Sequence, residues 1–334
     1  MTTQAKPKAA VLLSQPKLRR LCSPACRQYL ETHFEVHWNE RERELSAEEL
    51  VPFAEDAAYL FTSWGSPRLS ESFFKHAAEL RAVAHAAGSV KFFLPASVFE
   101  AGVRVFSANP RLSLPVSEYC MAVIFAWLRH IPTYNAALHA GGYRVPGLKG
   151  RELTGSRVGL ISAGATARGL IRMLQPYEVE IRVYDPFLSE AQARQLGVIP
   201  STLEEAMGCT IVSNHAPNLP ETAGLIGAEQ LARIPDEGIF INSGRAAQVD
   251  TAALVAELKS GRIYAACDVF DEEPLPVDSP LRGLANVILT PHVGAATQQA
   301  DLALLPAVAE DVVRMMRGEP TRFEIAAADF SRLA

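Results

Sequence analysis

A chain of 334 residues, 49% apolar and 21% charged, has the balance of a globular protein and room for two full cores, more than one α/β sheet comfortably takes. Its net charge of −5, with no Lys/Arg cluster, argues against a nucleic-acid surface. No apolar run approaches membrane-spanning length, and the start MTTQAKPKAA lacks the apolar core of a secretory signal.

Five cysteines (Cys22, Cys26, Cys120, Cys209, Cys267) without a C-x-x-C spacing suit a reduced, cytoplasmic protein. Cys22 and Cys26 are i, i+4 neighbours if their segment is helical, and shared packing explains them better than a metal does.

Residues 9–107 alternate apolar runs (Ala9–Leu13, Phe34–Trp38, Ala57–Phe61, Leu80–Ala84, Val103–Phe106) with helical stretches such as Ser70–Glu79. That rhythm suits a small parallel sheet with crossover helices. Two of its strand ends run into Thr62-Ser63-Trp64-Gly65 and Ala86-Ala87-Gly88-Ser89-Val90-Lys91, at the edge where open α/β sheets bind ligands. Pro115–His130 reads as an apolar helix crossing between domains. The segment Ile131–Leu153 has no clear period and reads as a surface arm or a contact to a second subunit.

A second α/β run begins at Val158, with strands expected at Val158–Ser162, Ile181–Tyr184, Cys209–Ser213, Gly238–Asn242, Tyr264–Val269 and Val287–Thr290. Helical stretches such as Leu203–Met207 and Thr251–Ser260 lie between them, as in a doubly wound sheet. The last helix, Thr297–Arg317, contains Pro306, which should kink it or start it afresh. Two α/β halves in one chain imply a cleft between them.

The stretch Arg157–Asp185 is the centre of the second run. The buried-strand pattern VGLIS leads into small residues (Ser162 to Ala167), an apolar helical pattern, a second strand and then Asp185. A dinucleotide site needs that order. Amides at a tight turn and a helix N-terminus face the pyrophosphate, and the acid accepts from the ribose diol. Against G-x-G-x-x-G, the three glycine positions hold Ser162, Gly164 and Ala167. Ala is an accepted third member, whereas Ser162 departs from the glycine that serves the turn.

Three further segments follow strands of the second half: INSGR to Arg245, DVFDEEP with Glu273 before Pro274, and TPHVGA with His292. A lone arginine at a strand end is most often a solvated charge, and a histidine after proline is most often a turn residue. Three such residues at one edge, in this order, point to a site. Arginine matches a carboxylate, histidine exchanges a proton near neutral pH, and a carboxylate beside it fixes its tautomer.

With VSNHAPNLPETAGLIG, INSGRAAQVDTAAL, DVFDEEPLP and NVILTPHVGA, the chain resembles the D-isomer-specific 2-hydroxyacid dehydrogenase family from about Leu80 to Pro320. That family includes glyoxylate/hydroxypyruvate reductases, phosphoglycerate dehydrogenase and D-lactate dehydrogenase. The resemblance implies two doubly wound parallel-sheet α/β domains, Rossmann-like and flavodoxin-like, with the active site in the cleft. A discontinuous substrate domain would span 1–107 and 297–334, and an NAD-binding domain 108–296. The resemblance also implies a homodimer and a small 2-keto or 2-hydroxy acid as substrate, with no nucleic-acid or membrane partner.

By the same resemblance, Arg245 holds the substrate carboxylate, His292 is the acid/base, and Glu273 is its partner. Gly88 and Ser89 supply backbone amides to the substrate. Gly164, Ala165 and Thr166 form the pyrophosphate turn, and Asp185 is the ribose acid. Ala216, Ser243, Asp268, His292 and Gly294 fall on the other cofactor contacts, Asp268 near the carboxamide, and Glu118 matches the acid of a V-A-E helix start. Lys91 stands where the family has Asp, adding positive charge, and Ala246 replaces a glycine. The alternative is an NAD(H)-sensing binding protein of the same fold, like the C-terminal binding protein corepressors. The chain lacks the low-complexity segment and basic surface of a regulatory scaffold, which favours an NAD-dependent enzyme.

Overall fold

The computed structural model describes residues 5–332. The chain forms two compact units, one from the residues up to Leu112 together with those from Ala296 on, the other Ser113–Ala295.

The first unit opens with five strands: β1 (Lys8–Val11), β2 (Glu35–Trp38), β3 (Tyr59–Thr62), β4 (Ala82–His85) and β5 (Arg104–Ser107). The central ones, β3 and β4, are buried at every position. That is why YLFT and AVAH are continuous apolar or small-residue runs rather than alternating ones.

The second unit carries β6 (Arg157–Ile161), β7 (Glu180–Tyr184), β8 (Ile199–Pro200), β9 (Ile211–Asn214), β10 (Ile239–Asn242), β11 (Tyr264–Cys267) and β12 (Val287–Leu289). They form one parallel sheet in the order β12-β11-β10-β9-β6-β7-β8. The order reverses between β6 and β9, and ligands of open α/β sheets bind at that point. All six strands expected from sequence are present. The seventh, β8, is two residues long at the sheet's edge, too short to show a period. Gly159 in the middle of β6 lets the helix Leu203–Met207 approach: a Cβ there would lie 1.9 Å from the Ala206 carbonyl oxygen.

After the second unit the chain returns through the helix Gln298–Met316, which packs on β4, β5 and the helices Gln15–Leu21 and Pro24–His33. It runs on through Pro306 as one helix. An interior proline costs roughly 3 kcal/mol. Leu304, Leu305, Val308, Val312 and Val313 are all at most 2% exposed, and each such burial contributes ~1.5–3 kcal/mol, so packing wins. The buried carboxylate of Asp311 then accepts the amides of Arg322 and Phe323, both at 2.6 Å. This sets β13 (Glu324–Ile325) antiparallel beside β5 and completes the first sheet as β13-β5-β4-β3-β1-β2.

Three local expectations are corrected. The helix expected from Pro115 begins at Asn109 and encloses that proline. At 20 residues it is long and apolar enough to cross a membrane by those two measures alone, yet Cys120, Ile124, Trp127 and Leu128 are buried in the second unit's core. The supposed arm begins with a helix, Ile131–His139, none of whose residues is buried, so no apolar stripe marked it in the sequence. Cys22 and Cys26 do not share a helix: Cys22 ends Gln15–Leu21, and Cys26 lies in Pro24–His33, capped by Ser23.

Candidate active site

The turn after β6 is built on Ser162, which adopts φ +80° where the fingerprint has glycine. Its amide bonds the Tyr184 carbonyl at 2.7 Å. Gly164 caps the helix Ala165–Leu174 without a side-chain cap, and a Cβ placed on it would meet nothing within 4 Å. The first-turn amides of that helix, Thr166 among them, have no intrahelical acceptor, which leaves them for an anion.

Asp185 follows β7, its carboxylate held on both oxygens. Oδ1 accepts the Phe187 amide at 2.8 Å, and Oδ2 accepts the Ala163 amide at 2.7 Å and the Ser162 hydroxyl at 3.3 Å. The Arg182 guanidinium pairs with Glu180 at 2.7 Å. A tight turn with free helix N-terminal amides and an adjacent carboxylate are thus both in place, and these residues fit a dinucleotide. Arg168, absent from the sequence reading, adds a cation at this turn, where its Nε donates to the Ala163 carbonyl at 2.8 Å.

A buried amide cluster shapes the strand ends next to it. Asn214 Nδ2 donates to Asn242 Oδ1 at 3.1 Å, and Asn214 Oδ1 accepts the Ala216 amide at 3.1 Å. Gln248 Oε1 accepts the Arg245 amide at 3.0 Å, and Gln248 Nε2 donates to the Pro217 carbonyl at 3.2 Å. All three amides are at most 3% exposed, so they rigidify the loops carrying Ala216 and Arg245. Ser243 Oγ lies 3.3 Å from Cys120 Sγ, whose thiol burial pushes up to about 11.

Glu273 and His292 arrive from the ends of β11 and β12. His292 Nδ1 lies 2.8 Å from Glu273 Oε2, and the Phe270 amide donates to Glu273 Oε1 at 3.1 Å. Arg245 is half-buried, with one guanidinium nitrogen on the Gly244 carbonyl at 2.8 Å. Burial pulls this guanidinium below its usual range, while the charge of Glu273 opposes that shift. Glu273 and His292 are thus paired within the second unit, with Arg245 in electrostatic range of Glu273. A cavity of about 320 Å³ lies beside the 269–281 loop. It is lined by residues such as Val249, Leu254, Val269 and Leu275, and by none of those three, so it is a separate feature.

In the first unit, Ser107 Oγ donates to the Gly88 carbonyl at 2.7 Å, and Ser89 Oγ accepts the Lys91 amide at 3.3 Å. A cavity of about 190 Å³ adjoins this loop, with Arg322 among its walls. Trp64 is 40% exposed, with the Arg20 guanidinium 5.6 Å from its ring centre. Glu118 is exposed.

Residues 121–294, more than half of the chain, match the family model "D-isomer specific 2-hydroxyacid dehydrogenase, NAD binding domain". The D-3-phosphoglycerate dehydrogenase of Methanocaldococcus jannaschii is 33% identical over 278 residues, 82% of this chain and 53% of that one. That of Bacillus subtilis is 31% identical over 275 residues, 81% of this chain and 52% of that one. This chain spans about half the length of these curated relatives. A phosphoglycerate oxidoreductase from Rhizobium etli superposes with a TM-score of 0.80 at 27% identity, covering 96% of this chain and 99% of that one. With that family model matched over more than half of the chain and relatives 33% and 31% identical over most of it, the chain belongs to the D-isomer specific 2-hydroxyacid dehydrogenase family.

Proposed function

We propose that this chain is an NAD-dependent enzyme interconverting a small 2-keto acid and the corresponding D-2-hydroxy acid. The observation that carries this reading is the His292–Glu273 pair at 2.8 Å, with Arg245 in electrostatic range of Glu273. A carboxylate only accepts hydrogen bonds, so Nδ1 of His292 carries a hydrogen and Nε2 is the nitrogen that gives and takes a proton. Arg245 holds the substrate carboxylate through its planar fork. Gly88 and Ser89 are proposed as further backbone donors to that carboxylate.

The hydride to the carbonyl carbon would come from NADH when it is bound. His292 gives its Nε2 proton to the carbonyl oxygen during reduction and recovers it during oxidation. Gly164, Ala165 and Thr166 would hold the pyrophosphate, Asp185 the ribose, and Ala216, Ser243 and Gly294 would make further contacts to the cofactor.

Loss of NADH absorbance with glyoxylate, hydroxypyruvate, pyruvate and 3-phosphohydroxypyruvate tests the reading. The last is the 2-keto acid that oxidation of D-3-phosphoglycerate would yield, and Lys91, half-buried beside Ser89, suits a second anionic group. Turnover of at least one is expected. NADH binding without turnover of any 2-keto acid would leave the NAD(H)-sensing binder instead.

The reading extends to a cytoplasmic homodimer. All five cysteines are free. The helix Ile131–His139 buries none of its own residues and exposes Ile131 (56%) and Leu138 (54%), with Tyr143 (75%) just beyond. An exposed apolar face of this kind suits a two-fold contact. Sedimentation should give a dimer at micromolar concentration, and Leu138→Glu should shift it towards monomer.

A further inference from the structure

The resemblance places Asp268 among the cofactor contacts, and its carboxylate also holds the loop that carries His292. Oδ1 accepts the Thr290 hydroxyl at 2.6 Å and the Val293 amide at 2.9 Å, and Oδ2 accepts the Gly294 amide at 2.8 Å. The side chain is 2% exposed, and a buried carboxylate needs such donors. The backbone closes the same ring, with the His292 amide on the Asp268 carbonyl at 2.8 Å. His292 itself sits at φ +55°. An L-residue enters that region at a cost of about 1–2 kcal/mol, so the loop is held in this shape by its partners and not by local preference. Gly294 is part of the arrangement, since a Cβ there would lie 2.9 Å from Asp268 Oδ2.

The chain of donors continues away from the site. Thr290 has one hydroxyl hydrogen and gives it to Asp268, so the Tyr119 hydroxyl, 2.8 Å from Thr290 Oγ1, must donate to it. Tyr119 belongs to the helix Asn109–Leu128, and its ring covers Gly294, with Cδ1 and Cγ 3.6 Å from where a Cβ would stand. Burial holds this phenol well above its usual range, so it remains a donor.

We propose that Tyr119 and Thr290 are positioning residues for His292: their hydroxyl relay fixes the Asp268 carboxylate, which cages the Val293 and Gly294 amides and so aims the imidazole. With the loop fixed, Nδ1 meets Glu273 and Nε2 is presented to the substrate. The proposal rests on His292 acting as the acid/base.

The test uses the full chain with NADH and whichever of the four 2-keto acids gives the highest kcat/KM. Thr290→Val removes the relay hydroxyl at nearly constant shape, Thr290→Ser keeps it, and Tyr119→Phe removes its far end. Small misplacement of a reacting group costs up to ~10²-fold, so Thr290→Val and Tyr119→Phe should lower kcat ~10- to 100-fold. KM, and the Kd for NADH read by fluorescence, should stay within about twofold. Thr290→Ser should retain wild-type kcat. In a His292→Ala background, Thr290→Val should cause no further loss, because the relay acts through that imidazole.

Unchanged kcat in Thr290→Val and Tyr119→Phe would overturn the proposal. So would a rise in the NADH Kd that matches the loss of kcat, or an undiminished effect in the His292→Ala background. A His292→Ala enzyme with wild-type kcat would remove the acid/base reading and this inference together. Loss in His292→Ala without loss in Thr290→Val would remove the inference alone.

Discussion

His292 Nδ1 stands 2.8 Å from Glu273 Oε2, although the two side chains leave the ends of different strands. This one contact fixes the tautomer of the imidazole and, on the proposed acid/base role, selects Nε2 as the nitrogen that would exchange the proton. His292→Ala should lower kcat ~10²–10⁴-fold, the usual loss when a general acid/base is removed. The Kd for NADH, measured by fluorescence titration, should hardly change. Glu273→Gln should also lower kcat, and the double mutant should be little worse than His292→Ala alone. Additive losses would separate the two residues.

Asp185 should set the preference for NADH over NADPH. A 2′-phosphate would bring negative charge against its carboxylate; of the nearby cations, Arg182 is paired with Glu180 and Arg168 is engaged with the Ala163 carbonyl. Like-charge opposition of a few kcal/mol separates the two cofactors by ~10²-fold or more. The ratio of kcat/KM for NADH and NADPH should therefore favour NADH in the wild type and fall in Asp185→Ala. A wild type that prefers NADPH, or an unchanged ratio in the mutant, would remove Asp185 from this role.

Ser162 combines a positive φ with a hydrogen bond to Asp185. Ser162→Gly relieves a backbone cost on the order of 1 kcal/mol and loses a long hydrogen bond at an incompletely buried site. Ser162→Ala keeps the strain and loses the bond. Melting temperatures should rank glycine at or above serine, and serine above alanine. Serine ranking above glycine would mean that the hydroxyl outweighs the strain.

His85 gives the first unit a pH dependence. Buried to 4% exposure, stacked on Phe93 and bonded to the Thr62 hydroxyl, it is pushed down to about 4 by burial, with Lys17 adding to the shift. Below its ordinary value near 6.5 the unfolded chain takes up a proton that the folded chain refuses. Stability is therefore intact above about pH 6.5 and falls as the pH drops towards 4, by about 3 kcal/mol in all. The wild type should lose denaturant midpoint between pH 7 and pH 5, and His85→Asn should lose less. Parallel curves would place the acid sensitivity elsewhere.

The apolar runs determined the central strands of both sheets, because a strand buried on both faces needs a continuous apolar stretch and that requirement is local. The fingerprint at Ser162–Ala167, Asp185 at the end of its strand, and the order Arg245, Glu273, His292 were equally visible, since each is a residue type at a fixed distance from such a run. Other features had no local signature. β8 and β13 are two residues each, too short for a period. The helix through Pro306 survives on burial that only the folded neighbours provide. Tyr119 and Thr290 stand 171 positions apart, and nothing near either one announces the other. Likewise, Asp268 reads as one more acid at a strand end until its three donors are in place. Periodicity reports which face of an element is buried, whereas hydrogen-bond partners are chosen across elements, and only the tertiary structure brings those together.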